Sequence, residues 1–310
     1  MKHWALPGLL IALLAPLPEA SARADVRVER VSYHGWPEAY RLSNGTVDLV
    51  VVPEIGRIMR YGYLGRPNVL WENAGLRGKT LDPARPSPEW VNFGGDKLWP
   101  APQSAYWPPD PHLDGAPQTV TIMSGTRLRM ESPRSAKLGI RFVRVIALAD
   151  SGTGVRIRNT VVNDSRDEVE VSVWEVTQIS EPAWAALDVY RRGRFPRGYY
   201  VFPDSAPAAG ALTARRGEVR LRRDPRQAGK IGADSPRGRV RARVGRVVFS
   251  VSAPFEKDAL YPDQGCAQEI WSNPDPLRYM ELELLGPIVR LRSGAAQTLE
   301  TRWRLERARD

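Results

Sequence analysis

The chain reads as all-β, an antiparallel sandwich, on three observations. Apolar residues recur with a period of two, turn clusters separate those stretches at short intervals, and no helical periodicity of comparable length intervenes. In chain order, Tyr40-Arg-Leu-Ser and Thr46-Val-Asp-Leu-Val-Val-Val52 flank Asn44-Gly45, a two-residue turn whose positive φ angles suit a hairpin. Further strands are expected at 57–63, 69–71, 119–123, 128–131, 140–148, 155–162 and 169–179, then at 199–202, 218–222, 246–252, 267–271, 279–285 and 297–305. Asp150-Ser-Gly-Thr-Gly154, Asn163-Asp-Ser165 and Arg292-Ser-Gly294 supply turns between them. Segments 193–198 and 224–238 read as long surface loops. No polar linker divides the chain and no repeat is visible, so residues 25–310 are expected to form one large sandwich domain.

The N-terminus carries Lys2, an apolar run from Ala5 to Leu17, and Ala22-Arg23-Ala24 before Asp25, the pattern of a secretory signal peptide over residues 1–24. The run is too short, and broken by Pro7 and Pro16, to span a bilayer. With no other long apolar stretch and no Cys after the cleavage site, the mature chain is expected to be exported, periplasmic or secreted, without a transmembrane segment or lipid anchor. Cys266 is the single cysteine, which excludes an internal disulfide and reads as a buried small hydrophobe.

The overall charge of +10 is uneven: residues 191–246 hold 16 Lys and Arg against 4 Asp and Glu, a net of +12, leaving the rest at −2. There Val219, Leu221, Val240 and Val244 alternate with Arg220, Arg222, Arg239, Arg241 and Arg243, which places arginines on one strand face. That face is either a solvated sheet surface or a contact for an anionic glycan or membrane surface. Nucleic acid is not an expected partner, because no recognition motif accompanies the charge.

The chemistry concentrates in Phe93-Gly-Gly-Asp-Lys-Leu-Trp-Pro-Ala-Pro-Gln103 and, just beyond, Trp107-Pro-Pro-Asp-Pro-His112-Leu-Asp114. Gly and Pro make this stretch a loop in expectation, and loops held by a scaffold carry binding groups. Trp99 and Trp107 offer faces for the C–H side of a sugar, while Asp96, Lys97, Gln103 and Asp114 offer in-plane hydrogen bonds to its hydroxyls. Asp96, Asp110 and Asp114 also present oxygen ligands to calcium, but EF-hand spacing is missing and Lys97 opposes a cation. No metal or cofactor is expected.

Several of these motifs resemble, in order, those of galactose mutarotase-like proteins, including the hexose-6-phosphate epimerase branch. The opening hairpin through Pro53-Glu54-Ile-Gly56-Arg-Ile58 is similar, as are Gly94-Gly95-Asp96-Lys97-Leu98-Trp99-Pro100 and the pair of strands from Arg156 to Asn163 and from Val169 to Gln178. Tyr279-Met-Glu281-Leu-Glu283 followed by Val289-Arg-Leu-Arg-Ser-Gly294 resembles the strand with the catalytic glutamate and its closing turn. Most of the chain from Val47 to Leu305 is covered. Likeness is greatest to an exported bacterial subgroup with Gly-Gly-Asp-Lys-Leu-Trp-Pro and Trp174-Glu-Val-Thr-Gln178 signatures.

The resemblance implies a two-sheet supersandwich with a sugar cleft, and aldose 1-epimerase chemistry at the anomeric carbon with Glu283 as base. Glu281 shares its strand face with Glu283, so either is open to point into the cleft. The acid histidine of those proteins has no counterpart in Val173-Trp174-Glu175-Val176-Thr177-Gln178. Glu175, kept protonated against Trp174, and His112 stand as replacement acids; a structural glutamate and a surface histidine are the competing roles. Trp174, Gln178 and Glu281 complete the expected sugar-contacting set. A non-catalytic glycan-binding module and an envelope protein working through residues 191–246 are the alternatives.

Overall fold

The computed structural model describes residue 1 and residues 27–85, 87, 89–125 and 127–308. The expected signal peptide, residues 1–24, lies outside the described residues except for Met1. The chain runs through β1 (Arg27–Tyr33), β2 (Trp36–Ser43), β3 (Val47–Val52), β4 (Arg57–Tyr63), β5 (Asp96–Ala101) and the four-residue helix α1 (Gln103–Tyr106). It continues through β6 (Thr119–Ser124), β7 (Arg127–Glu131), β8 (Ile140–Leu148), β9 (Val155–Asn163), β10 (Val169–Ser180), β11 (Trp184–Asp188) and β12 (Tyr200–Val201). Next come β13 (Leu212–Arg215), β14 (Glu218–Leu221), β15 (Gly229–Ala233), β16 (Arg239–Val244) and β17 (Val247–Ser252). Last are β18 (Gln268–Ser272), β19 (Tyr279–Leu285), β20 (Val289–Leu291) and β21 (Ala296–Arg307).

These strands form two antiparallel sheets. One has eleven strands in the order β1-β2-β3-β4-β5-β10-β19-β18-β15-β12, with β20 beside β10. The other has ten, in the order β13-β14-β11-β16-β17-β21-β9-β8-β7-β6. The all-β antiparallel expectation holds. The main core lies between the sheets, where Val173, Ile179, Leu282 and Leu284 of the larger sheet meet Ile146, Ile157, Phe249 and Trp303 of the smaller. Leu282 and Leu284 alternate with Glu281 and Glu283 along β19, which puts them on the core face. Val50 is also buried, but in a separate cluster with Trp36, Ile55 and Phe93.

Two segments read as loops are strands. Asp96–Ala101 is β5, a fully buried strand inside the larger sheet. Pro100 is tolerated because the Val173 carbonyl opposite it accepts from Gly286 N–H on the β19 side, so the Val173–Pro100 pair exchanges no bond. The other edge of β5 meets β4 only at Ile58–Asp96, so the missing N–H deprives no ladder. The preceding Gly94 and Gly95 have φ of 91° and 70°, and a Cβ on either would stand 2.3 Å from the Trp71 carbonyl oxygen or 2.5 Å from that of Ile58. Within 224–238, Gly229–Ala233 is the buried strand β15. The expected strand at 69–71 is reduced to an isolated bridge, Leu70 with Ile179.

Candidate functional site

Strand register puts three cross-strand rows on the outer face of the larger sheet, away from the inter-sheet core. Lys230, Trp271, Glu281 and Gln178 form the first, across β15, β18, β19 and β10. The second runs Gly232, Glu269, Glu283, Val176 and Lys97. Leu285, Trp174 and Trp99 form the third and close a small aromatic cluster with Val176 and Ala101. Thus Lys97, Trp99, Trp174, Gln178, Glu281 and Glu283, named from the sequence, share one face.

Charge on this face is paired at close range. Gln178 Nε2 donates to Glu281 Oε1 at 2.9 Å, and Lys97 Nζ stands 3.5 Å from the same oxygen. Lys97 Nζ also lies 4.5 Å from the Trp99 ring centroid and 5.4 Å from that of Trp90. Burial pulls the Lys97 ammonium below the usual lysine value against the support of Glu281, and the neighbouring Arg57 works the same way as burial. Asp114 accepts from Arg57 on β4 and, at 2.7 Å, from Trp90 Nε1.

Glu283 lies in a second group. Its Oε2 accepts from Trp174 Nε1 at 3.0 Å and lies 3.6 Å from Lys230 Nζ. Lys230 Nζ is 2.6 Å from Glu269 Oε2 and 3.2 Å from Asp263 Oδ2, so one ammonium faces three carboxyls. Burial works against the Lys230 charge, but Glu269, Glu283 and Asp263 outweigh it and hold its pKa well above the ordinary value. Burial pushes Glu283 up to about 6 in spite of Lys230, and Glu281 adds to the rise. Burial also raises Glu269 far above the carboxylate range, with Lys230 opposing and Glu283 reinforcing. Asp263 and the next residue, Gln264, hold φ of 50° and 67°, a strained turn that sets the Asp263 carboxylate against Lys230.

Comparisons with known proteins bear on the fold. A family model described as a domain of unknown function (DUF4380) matches residues 38–189. A search of the curated proteins found no match. Among solved structures, a galactose mutarotase-like protein from Clostridium acetobutylicum aligns with a TM-score of 0.57 at 11% identity, over 92% of this chain and 99% of its own. A galactose mutarotase related enzyme from Lactobacillus acidophilus aligns at 0.57 with 11% identity, over 88% and 98% of the two chains. A protein from Escherichia coli K12, provisionally described as an aldose 1-epimerase, aligns at 0.55 with 15% identity, over 87% and 99%. The fold is galactose mutarotase-like. The DUF4380 match takes in β5 and β10 but ends before the strands that bear Lys230, Glu269, Glu281 and Glu283.

Within this mutarotase-like sandwich two expected cleft residues lie on the wrong side of the sheet. Asp96 and Glu175 alternate with Lys97 and Trp174, so they face the inter-sheet core. There Asp96 binds the Arg144 guanidinium and accepts from Thr177 Oγ1 at 2.8 Å. Glu175 Oε1 accepts from Thr301 Oγ1 at 3.1 Å and stands 3.4 Å from Arg144 Nη2. Burial lifts Glu175 to about 8, Asp96 adds to that, and Arg144 opposes it. One guanidinium for two carboxyls leaves a proton on Glu175, but it is a core group, not a cleft acid. His112 is tied by Nδ1 to Asp110 at 2.9 Å, and Asp110 accepts from Ser135 Oγ at 2.7 Å. No hydrogen bond, ion pair or ring contact among the described residues joins His112 to Glu283. With Asp96 in the core, Asp110 on Ser135 and Asp114 on Arg57, the three aspartates considered for calcium do not assemble.

Glu283 and Glu269 are 1% and 0% exposed, while Glu281 and Lys230 reach the surface at 7% and 8%. The open part of the face is a pocket of about 180 Å³ of empty volume lined by Trp99, Pro100, Gln103, Tyr106, Trp107, Pro109 and Trp174. Gln103 and Trp107 therefore join the site, and Trp107 is 48% exposed. Trp174 lines the pocket and hydrogen-bonds Glu283, linking the aromatic opening to the buried acids. Trp99 Nε1 and Gln178 Oε1 lack hydrogen-bond partners, capacity that a polyhydroxylated ligand would use. Sequence reading missed Arg57, Trp90, Lys230, Asp263 and Glu269. For Glu269, its place two residues before Trp271 on an alternating strand was the available signal; Lys230 lay in a segment read as loop.

Proposed function

We propose that the protein binds a carbohydrate against the outer face of its larger sheet and acts as an aldose 1-epimerase-like isomerase at the anomeric carbon. The observation that carries this reading is Glu283: central on that face, oriented by the Trp174 N–H, and poised near pH 6 by burial. As a carboxylate it takes the proton of the anomeric hydroxyl while the ring oxygen receives one, the C1–O5 bond opens, and reclosure on the other face returns both protons. Base action requires the ionised form, so turnover should fall as pH drops below about 6. The mutarotase-like fold supports the reading, as do the tryptophan-lined pocket and the partnerless polar atoms beside it.

A glycan-binding module is the second reading, favoured by the sealed carboxyls and by the exposed Trp107 at the aromatic pocket. The leader-like N-terminus extends either reading to an exported protein. A panel of aldoses and acidic oligosaccharides tested for thermal stabilisation, then for mutarotation by polarimetry, separates the two. Stabilisation with accelerated mutarotation supports the isomerase; stabilisation without acceleration by any bound sugar leaves the module.

A further inference from the structure

We propose that Glu269 is the acid of this site, sharing one proton with Glu283 across β18 and β19 under the Lys230 ammonium and delivering it to the ring oxygen. The inference rests on the isomerase reading above and supplies the group that Val173–Gln178 lacks a histidine to provide.

Four observations converge. Glu269 and Glu283 are directly paired residues on adjacent strands, with side chains on the same face. Three carboxyls, on Glu269, Glu283 and Asp263, meet the single ammonium of Lys230, and like charges this close cannot all ionise in a buried site. Glu283 accepts hydrogen bonds from Trp174 Nε1 and from the Glu269 carboxyl, which favour its ionised form, so the proton resides mainly on Glu269. The strained turn at Asp263 and Gln264 adds the third carboxylate to the group where a relaxed turn would not require it.

The groups facing the pair are Lys230 on β15, Glu281 on β19, Asp263 and Cys266 from the preceding turn, and the Trp174 N–H on β10. Cys266 stays a thiol, because burial and then Glu269 push its pKa well above the usual value. The step balances. Glu283 takes the O1–H proton as Glu269 gives its proton to O5; C1–O5 breaks and C1–O1 becomes a carbonyl. On reclosure Glu269 recovers the O5–H proton and Glu283 returns one to O1. O1 and O5 hang on one carbon, so two adjacent carboxyls on one side of the ring serve both.

Infrared difference spectroscopy of the intact protein, with Glu269→Gln and Glu283→Gln as references, reads the shared proton without any substrate. Two protonated buried carboxyls should persist at neutral pH, those of Glu175 and Glu269, and only one of the two bands should disappear in Glu269→Gln. In a mutarotation assay, Glu269→Gln should lose about 100-fold or more in kcat with KM little changed. An active wild type whose Glu269→Gln variant turns over within a few-fold, or a spectrum in which Glu269→Gln removes no protonated-carboxyl band at neutral pH, overturns the role of Glu269. Should the variant fail to fold, the wild-type band, assigned by its shift when Glu283 is replaced, still decides. A wild type that turns over no bound aldose overturns the isomerase reading, and with it any acid role, whatever the spectrum shows.

Discussion

Glu175 is buried in the inter-sheet core beside Asp96 and Arg144 and has its pKa raised to about 8, chiefly by burial. Its folded value lies above its unfolded one, so the folded state binds the extra proton. The stability this group contributes is fully present below about pH 4.5 and is lost as pH rises to about 8. Glu175→Gln keeps the shape and stays neutral. It should therefore raise the melting temperature above pH 8 by an amount worth a few kcal/mol, ~2–4, and leave it nearly unchanged near pH 5. Thermal melts of both proteins from pH 5 to 9 check this; equal slopes would mean that Glu175 is ionised in the core. The same residue marks a limit of sequence reading. Alternation told that Glu175 and Trp174 face opposite ways, yet both stood in one motif, and only the pairing with β5 and β19 fixes which of them faces the core.

Among elements, β5 and β15 carry the site yet resist recognition. Gly-Gly before β5 and Pro100 within it are loop signals, and the strand survives because its N–H-deficient position faces an edge that β4 has already left. In β15 the glycines serve close approach. A Cβ on Gly232 would stand 2.4 Å from Cys266 Sγ and 2.8 Å from Cys266 Cβ. Gly232→Ala should destabilise by about 1–3 kcal/mol in chemical denaturation, and Cys266→Ala in the same chain should recover part of that. Full stability in Gly232→Ala would show that β15 sits farther from the 263–266 turn. Strands with a largely alternating sequence, such as β9 and β19, were legible, since their period of two needs no context.

Across the whole molecule, the two sheets divide the chemistry. The outer face of the larger one carries the candidate site, and the arginines of β14 and β16 decorate the smaller one. Those arginines are largely answered: Arg239 and Arg241 bind Asp188, and Arg220 and Arg241 bind Glu218. Arg220 also lies 4.1 Å over the Trp184 ring. Asp188 stands outside the basic segment in sequence, so composition overstated the free charge of that surface. Retention on a sulfated polysaccharide should accordingly be lost near physiological ionic strength, roughly 0.15 M. Retention well above that would restore the anionic-partner reading of residues 191–246. No helix among the described residues is long and apolar enough to cross a membrane.

The central claim is that Glu283 acts on an anomeric carbon, and exchange NMR between the α and β forms of an aldose that stabilises the protein tests it most directly. The wild type should accelerate the interconversion, and Glu283→Gln should abolish the acceleration while keeping most of the stabilisation by the sugar. No acceleration by the wild type with any sugar that binds, or full acceleration by Glu283→Gln, would contradict it.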